Sequence, residues 1–176
     1  MTVLVTGNLG YIGSVLAPIL TLRGHQVRGL DSGFFKDCLL APATEPPEQI
    51  AKDIRDIERE DLDGITEVVH LAGLSNDPLG ELDASLTEAI NYDGSMRLGE
   101  LARDAGVRRL IYASSQSMYG RAATGVELEE DDSDKNPLTA YARTKWEAEQ
   151  GLMSLRSRGF EVTAFRPSTV YEASPR

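Results

Sequence analysis

Cysteine is almost absent from this chain. Cys38 stands alone among 176 residues, so no disulfide framework can be drawn. With only two histidines there is no cluster at metal-ligand spacing either, and no metal site is expected. No apolar run approaches the length of a membrane span, and the N-terminus is already strand-like rather than a signal peptide. Bases are in the minority. The 28 acidic against 18 basic residues leave a net charge of −10, which argues against a nucleic-acid surface and against an anionic membrane. Internal repeats and low-complexity segments are missing as well. A cytoplasmic protein is expected, and at 41% hydrophobic residues the chain can bury one full core as a single domain over 1–176.

What the chain does have is glycine at particular places. The β-branched run Val3-Leu4-Val5 ends in Thr6-Gly7-Asn8-Leu9-Gly10-Tyr11-Ile12-Gly13, and apolar residues at helical spacing follow: Ile12, Val15, Leu16, Ile19 and Leu20. A strand, a tight glycine turn and a helix N-terminus make a phosphate cradle, because free N–H groups and the positive end of the helix dipole face one anion. Gly7 permits the turn, Gly10 admits a pyrophosphate, and Gly13 lets the helix lie close to the strand. The spacing is G-x-x-G-x-x-G rather than the commoner G-x-G-x-x-G. The next strand, from His25, ends in Asp31, about 20 residues on, where a carboxylate accepts hydrogen bonds from an adenosine ribose and repels a 2′-phosphate. NAD is therefore the expected cofactor, in preference to NADP.

Helix and strand patterns alternate along the rest of the chain, which predicts parallel βαβ units and an α/β fold. Pro18 falls inside the first helix, where it removes a hydrogen bond. Residues 32–48 are too broken for regular structure. Strands are expected at Ile50–Ile54, Val68–Ala72, Arg109–Ser114 and Phe160–Phe165, and long helices at about Glu81–Asp104 and Leu138–Arg158. The acidic run Glu127, Glu129, Glu130, Asp131, Asp132 and Asp134 reads as solvated surface.

Tyr141 and Lys145 stand four apart on the last helix, so they share one face. A free tyrosine titrates near 10 and is a poor base at neutral pH, but an adjacent ammonium favours the phenolate. Of the six tyrosines, this alone has lysine four positions on, and it follows a strand tipped with Ser114, Ser115 and Ser117. The plain alternative is a helix-face tyrosine beside a solvated lysine.

With these motifs, and with Asp53-Ile54, His70-Leu71-Ala72-Gly73, Asn91 with Gly94, and Tyr119-Gly120, the chain resembles the extended short-chain dehydrogenases/reductases, specifically the NAD-dependent sugar epimerase/dehydratase group. The resemblance spans essentially the whole chain. It implies a Rossmann-type doubly wound, mostly parallel sheet of order 3-2-1-4-5-6, with NAD across the carboxyl ends of its strands. It also implies that Gly7, Asn8, Gly10, Tyr11, Ile12, Gly13 and Asp31 bind the cofactor. Asp53 and Ile54 would flank adenine, and Leu71, Ala72, Gly73, Asn91 and Pro167 would line the remainder. Ser115 would hydrogen-bond the reacting oxygen, Tyr141 would exchange its proton, and Lys145 would also hold the nicotinamide ribose. His70 is expected to be fixed by packing rather than to act as a base.

Two departures from that family matter. The 4,6-dehydratases follow the residue matching Ser115 with an Asp-Glu pair, whereas this chain has Gln116 and Ser117, which cannot act as acid or base. Members of the family also carry a smaller C-terminal substrate domain, expected beyond residue 176 and absent here; Tyr171-Glu172 lacks the glycine usual after such a tyrosine. The expected activity is epimerisation of a nucleotide-activated sugar through transient oxidation. A sugar dehydrogenase or ketoreductase using the same residues is the alternative, and a non-catalytic NAD-sensing module is a rival of another class. A methyltransferase could share the glycine loop but has no use for the Tyr-Lys pair. The resemblance further implies a homodimer through a four-helix bundle, to which surplus apolar residues such as Leu98 and Trp146 would contribute.

Overall fold

The computed structural model describes residues 1–38, 40, 47–75, 83–121, 127–131, 133–171 and 173–175. Six strands form one parallel sheet: β1 (Thr2–Thr6), β2 (Gln26–Asp31), β3 (Glu48–Ala51), β4 (Glu67–His70), β5 (Arg109–Ala113) and β6 (Glu161–Phe165). Their order is β3-β2-β1-β4-β5-β6, the doubly wound arrangement expected. Every neighbouring pair is parallel, with Val5 level with Gly29 on one side and Val69 on the other.

Alternation along β1 divides the core between two faces. Leu4 belongs to a large cluster with Leu30, Val68, Leu110 and Val162, while Val3 and Val5 join Val69 on the opposite face. Helix α1 (Gly13–Leu22) covers the smaller cluster through Leu16 and Leu20. It continues through Pro18, whose missing N–H leaves the carbonyl of Ser14 without its helical partner. The larger cluster is covered by α3 (Gly94–Asp104) and α4 (Ala140–Ser154), through Leu98, Ala102, Ala148 and Leu152. Burying each such leucine contributes about 1.5–3 kcal/mol.

The sheet order agrees with expectation, but several element boundaries differ. The third strand stops at Ala51 because Asp53 begins a 3-10 turn over Ile54–Asp56, accepting the N–H of Arg55. The fourth stops at His70, leaving Leu71 and Ala72 in the loop beyond its end. The expected long helix is broken into α2 (Ala84–Glu88), a wide π-type turn over Ala89–Asp93, and α3; its first two expected residues and loop residues 76–80 lie outside the described residues. Helix α4 begins at Ala140 because Thr139 caps it, accepting the N–H of Ala142.

The apolar surplus on the long helices is used within the chain. Leu98 is fully buried, and the Trp146 ring lies against Lys135 and Arg166. Helices α3 and α4 meet at small residues: a β-carbon on Gly99 would lie 2.4 Å from Leu152 Cδ2, and one on Gly151 would lie 2.4 Å from Met96 Sδ. Among the described residues of α3 and α4, no large hydrophobic side chain is exposed. Leu98 therefore belongs to the core, whereas Trp146 is only partly buried.

Gly13 holds α1 against the end of β1. A β-carbon there would sit 2.2 Å from the carbonyl oxygen of Gly7 and 2.6 Å from Asn8 Cα, both backbone atoms with nowhere to move. Gly13→Ala should cost about 3 kcal/mol, the upper end for overpacking, in urea unfolding. Gly24→Ala is the comparison, because its β-carbon meets nothing within 4 Å and only its φ of +84° opposes the change, at about 1–2 kcal/mol. Equal losses in the two variants would contradict the close approach.

Candidate active site

A cleft of about 980 Å³ runs along the carboxyl ends of the strands. Its volume lies at the large end for small-molecule sites. One end is lined by Gly7, Gly10, Tyr11, Ile12 and Gly13, with Asp31, Asp53 and Ile54 beside them. Leu71, Ala72 and Gly73 follow, and Ser115, Tyr141, Lys145 and Pro167 form the other end. Fifteen residues singled out from the sequence thus share one cavity wall.

The loop after β1 is built for close approach. Gly7 has φ +71° and donates its N–H to the carbonyl of Leu30, and a β-carbon on it would sit 2.7 Å from the backbone nitrogen of Ala72. Helix α1 has no side-chain cap and no acidic residue in its first turn, so no built-in counter-charge meets its positive end. Asp31 accepts the N–H groups of Leu9 (3.1 Å) and Gly33 (2.8 Å), which fixes its carboxylate at the tip of β2. Each oxygen keeps a further acceptor position. Asp53 is committed differently: Arg55 grips both its oxygens at 2.8 and 3.0 Å and holds the carboxyl below its usual range.

Two of the residues expected at the cofactor, Asn8 and Asn91, turn their side chains away from the cleft. The side chain of Asn8 is buried and does not line the cleft; it exchanges two hydrogen bonds with Gln49 (2.8 and 3.2 Å) over the bare face of Gly29. Asn91 is likewise buried, carried inward by the π-type turn. Its side chain accepts the N–H of Leu74 at 2.8 Å and donates to the carbonyl of Leu74 at 3.1 Å. Both asparagines hold cleft-lining backbone in place rather than offering side chains to a ligand.

His70 is a positioning group, as expected. Ser95 donates to the carbonyl of Asn91 at 2.6 Å, so His70 Nε2–H must donate to Ser95 Oγ, at 2.8 Å. Nδ1 then accepts from Thr6 Oγ1 at 2.7 Å, and Thr6 in turn accepts the N–H of Ala72. Full burial, and secondarily the charge of Lys145, push the imidazole down to about 3, so it stays neutral. The chain of bonds ties the loop after β4 to the turn that carries Asn91.

Tyr141 stands in the first turn of α4, where negative charge is favoured, and Lys145 follows one turn later. Lys145 is only 5% exposed, and its Nζ lies 4.4 Å from the centre of the Tyr112 ring. Burial lowers its pKa from 10.5 to about 7, against the opposing pull of Glu149. Tyr112 is buried beneath it and pushed upward, so it remains a neutral phenol. Ser115 donates to Ser117 Oγ at 3.0 Å and accepts the N–H of Ser117 at 3.1 Å, capping the turn Gln116–Tyr119.

Sequence reasoning missed the partners behind this wall. Glu149, 3% exposed, is gripped by Arg166 through Nη2 (2.6 Å) and Nε (3.1 Å). Arg166 also donates to Tyr119 Oη at 2.7 Å and to the backbone carbonyl of Glu130. Spacing was the available signal, since Glu149 follows Lys145 by the same four residues that separate Lys145 from Tyr141.

Comparison with known proteins agrees with this geometry. The model of the NAD dependent epimerase/dehydratase family matches residues 3–175. The chain belongs to that family. It is 34% identical to UDP-glucose 4-epimerase of Mycolicibacterium smegmatis, over 97% of this chain and 56% of that protein. It is 32% identical to a 3 beta-hydroxysteroid dehydrogenase/Delta 5-->4-isomerase of Mycobacterium tuberculosis, over 96% and 47%. Among solved structures it superposes on MoeE5 in complex with UDP-glucose and NAD with a TM-score of 0.80, at 33% identity over 94% of this chain and 54% of that one. The chain thus spans about half the length of these relatives. No helix among the described residues is long and apolar enough to cross a membrane.

The buried lysine makes a testable demand on stability. Between pH 7 and 10.5 the unfolded chain holds a proton on Lys145 that the folded chain has shed, so stability rises with pH across that window. Below pH 7 the whole cost of the buried ammonium is present. Lys145→Met should melt above the parent at pH 6, with the gap closing as pH approaches 10. A gap that stays constant in calorimetric scans would contradict the burial of that charge.

Proposed function

We propose that this chain is the cofactor-binding and catalytic part of an NAD-dependent epimerase acting on a nucleotide-activated sugar. The observation that carries the reading is the convergence of Ser115, Tyr141 and Lys145 at one end of a cleft whose other end is the glycine loop and Asp31. The donor set suits a dinucleotide. Backbone N–H groups at the start of α1 take the pyrophosphate, Asp31 takes the adenosine ribose, and Lys145 takes the second ribose.

NAD held there would supply the hydride acceptor and donor that epimerisation through transient oxidation requires. Tyr141 holds the proton chemistry, removing the proton from the sugar hydroxyl and restoring it to the same oxygen. Lys145, as the ammonium, favours the phenolate of Tyr141. Ser115 turns its O–H from Ser117 Oγ to the reacting oxygen and steadies it. Gln116 and Ser117 line the same wall, and neither can remove or deliver a proton for an elimination, so 4,6-dehydration is disfavoured.

The dehydrogenase reading uses the same three residues without returning the hydride, and the 32% identity to a hydroxysteroid dehydrogenase keeps it as the second reading. An NAD-sensing module has no need of a buried ammonium beside a tyrosine. The test is substitution. Tyr141→Phe should keep NAD binding and lose turnover by about 10²–10⁴-fold. Lys145→Met should impair both steps, and Ser115→Ala should cost less than either. Near-normal turnover of UDP-glucose by Tyr141→Phe would overturn the mechanism.

A further inference from the structure

Beside the ammonium of Lys145 the nearest groups are neutral, and the face of Tyr112 alone among them favours its charge. Tyr112 on β5 presents the face of a neutral phenol, and His70 on β4 is a neutral imidazole whose two nitrogens are committed to Thr6 and Ser95. The remaining charged side chain is Glu149, one turn further along α4 and buried with it.

Glu149 does not reach Lys145 as an ion pair; its two oxygens are taken by Arg166. That grip matters because a free glutamate would swing to solvent to recover its hydration, whereas the Arg166 fork fixes it below the cleft floor. Arg166 is fixed in turn. It lies 5.5 Å from the centre of the Trp146 ring and 5.7 Å from that of Tyr119, and it donates to Tyr119 Oη and the Glu130 carbonyl. The pair therefore has a direction. Its carboxylate sits one turn from Lys145 on the same helix and opposes the effect of burial on the lysine, while Arg166 is carried by another element, just after β6.

We propose that Glu149, clamped by Arg166, is the positioning residue that keeps Lys145 in its ammonium form inside the cleft wall. The proposal rests on the reading of Lys145 as a working ammonium, but it concerns a charge that can be followed without cofactor, substrate or turnover. Glu149 touches neither reacting atoms nor cofactor; it acts through the lysine. An active site that buries its ammonium to strengthen it over the phenol must also limit the loss of its proton, and this carboxylate opposes that loss.

The chain has four lysines, Lys36, Lys52, Lys135 and Lys145, so labelling lysine with 13C at Cε gives four signals, with Lys145 identified by its loss in Lys145→Met. In the parent chain the Lys145 signal should titrate near 7. Glu149→Gln keeps the shape and removes the charge. Its Lys145 midpoint should fall, leaving about tenfold less ammonium at pH values above the parent midpoint. Glu149→Asp should restore the parent behaviour in part. Should Glu149→Gln fail to fold, the double variant Glu149→Leu with Arg166→Leu removes both charges together, a replacement that buried ion pairs often tolerate. Its Lys145 midpoint should fall too, because the carboxylate that opposes the effect of burial is gone. A Lys145 midpoint unmoved in either folded variant overturns the proposal, even if activity drops, and leaves the assignments of Tyr141 and Ser115 standing. Failure of NAD to bind, with the midpoint shifted as expected, would count against the epimerase reading and not against this one.

Discussion

Six strands running the same way place six carboxyl ends on one edge of the sheet, and every feature of the cleft follows from that constraint. The chain leaves β1 to pair with β2 on one side, then returns to lay β4 on the other. The loops after β1 and β4 part there and open a crevice between them. Gly7 and Ala72 face each other across it at a separation that admits no side chain on Gly7. Helix α1 then delivers its uncapped end into the opening, and the tip of β2 delivers Asp31. Parallel pairing and the glycines bring this end of the cleft together, and the bonds of Gly7 to Leu30, of Leu9 to Asp31 and of Asn8 to Gln49 fix it.

The opposite end of the cleft is governed by charge rather than by backbone. An ammonium taken out of water is costly, and the protein offsets part of that cost with the face of Tyr112 and with a carboxylate one turn away. The groups nearest it are kept neutral: His70 by burial and fixed hydrogen bonds, Tyr112 by burial. The low-dielectric pocket that weakens the lysine's hold on its proton would, under the proposed mechanism, also strengthen its effect on Tyr141. Stability and chemistry pull against each other at this one side chain.

The sheet order was legible because alternating helix and strand patterns leave few parallel topologies, and because the glycine loop marks where the chain turns. The site's surface was legible for the same reason, since its residues recur at fixed offsets from strand ends. What the sequence concealed is local. A wide turn over Ala89–Asp93 does not disturb the apolar periodicity of 84–104 enough to be seen, yet it turns Asn91 inward to hold Leu74. Asn8 belongs to the glycine motif by resemblance, but β2 has Gly29 beside it, and the vacant space draws the amide towards Gln49. The acidic run near Glu130 read as solvated because its side chains are charged; its backbone carbonyl is nevertheless held by Arg166 and Lys135. Glu149 is one of two acids on α4, and besides its spacing from Lys145 it is burial, invisible in the sequence, that sets it apart from Glu147.

The central claim is that this cleft is a site for NAD, read at its far end by Asp31. Isothermal titration of the chain with NAD and with NADP tests it most directly. Asp31 is fixed by two backbone N–H groups, and Ser32-Gly33-Phe34-Phe35 beside it contains no arginine to compensate a 2′-phosphate. NAD should bind with measurable heat and more tightly than NADP, and Asp31→Ala should narrow the difference. Binding of NADP as tight as that of NAD, or no binding of either, would contradict the account.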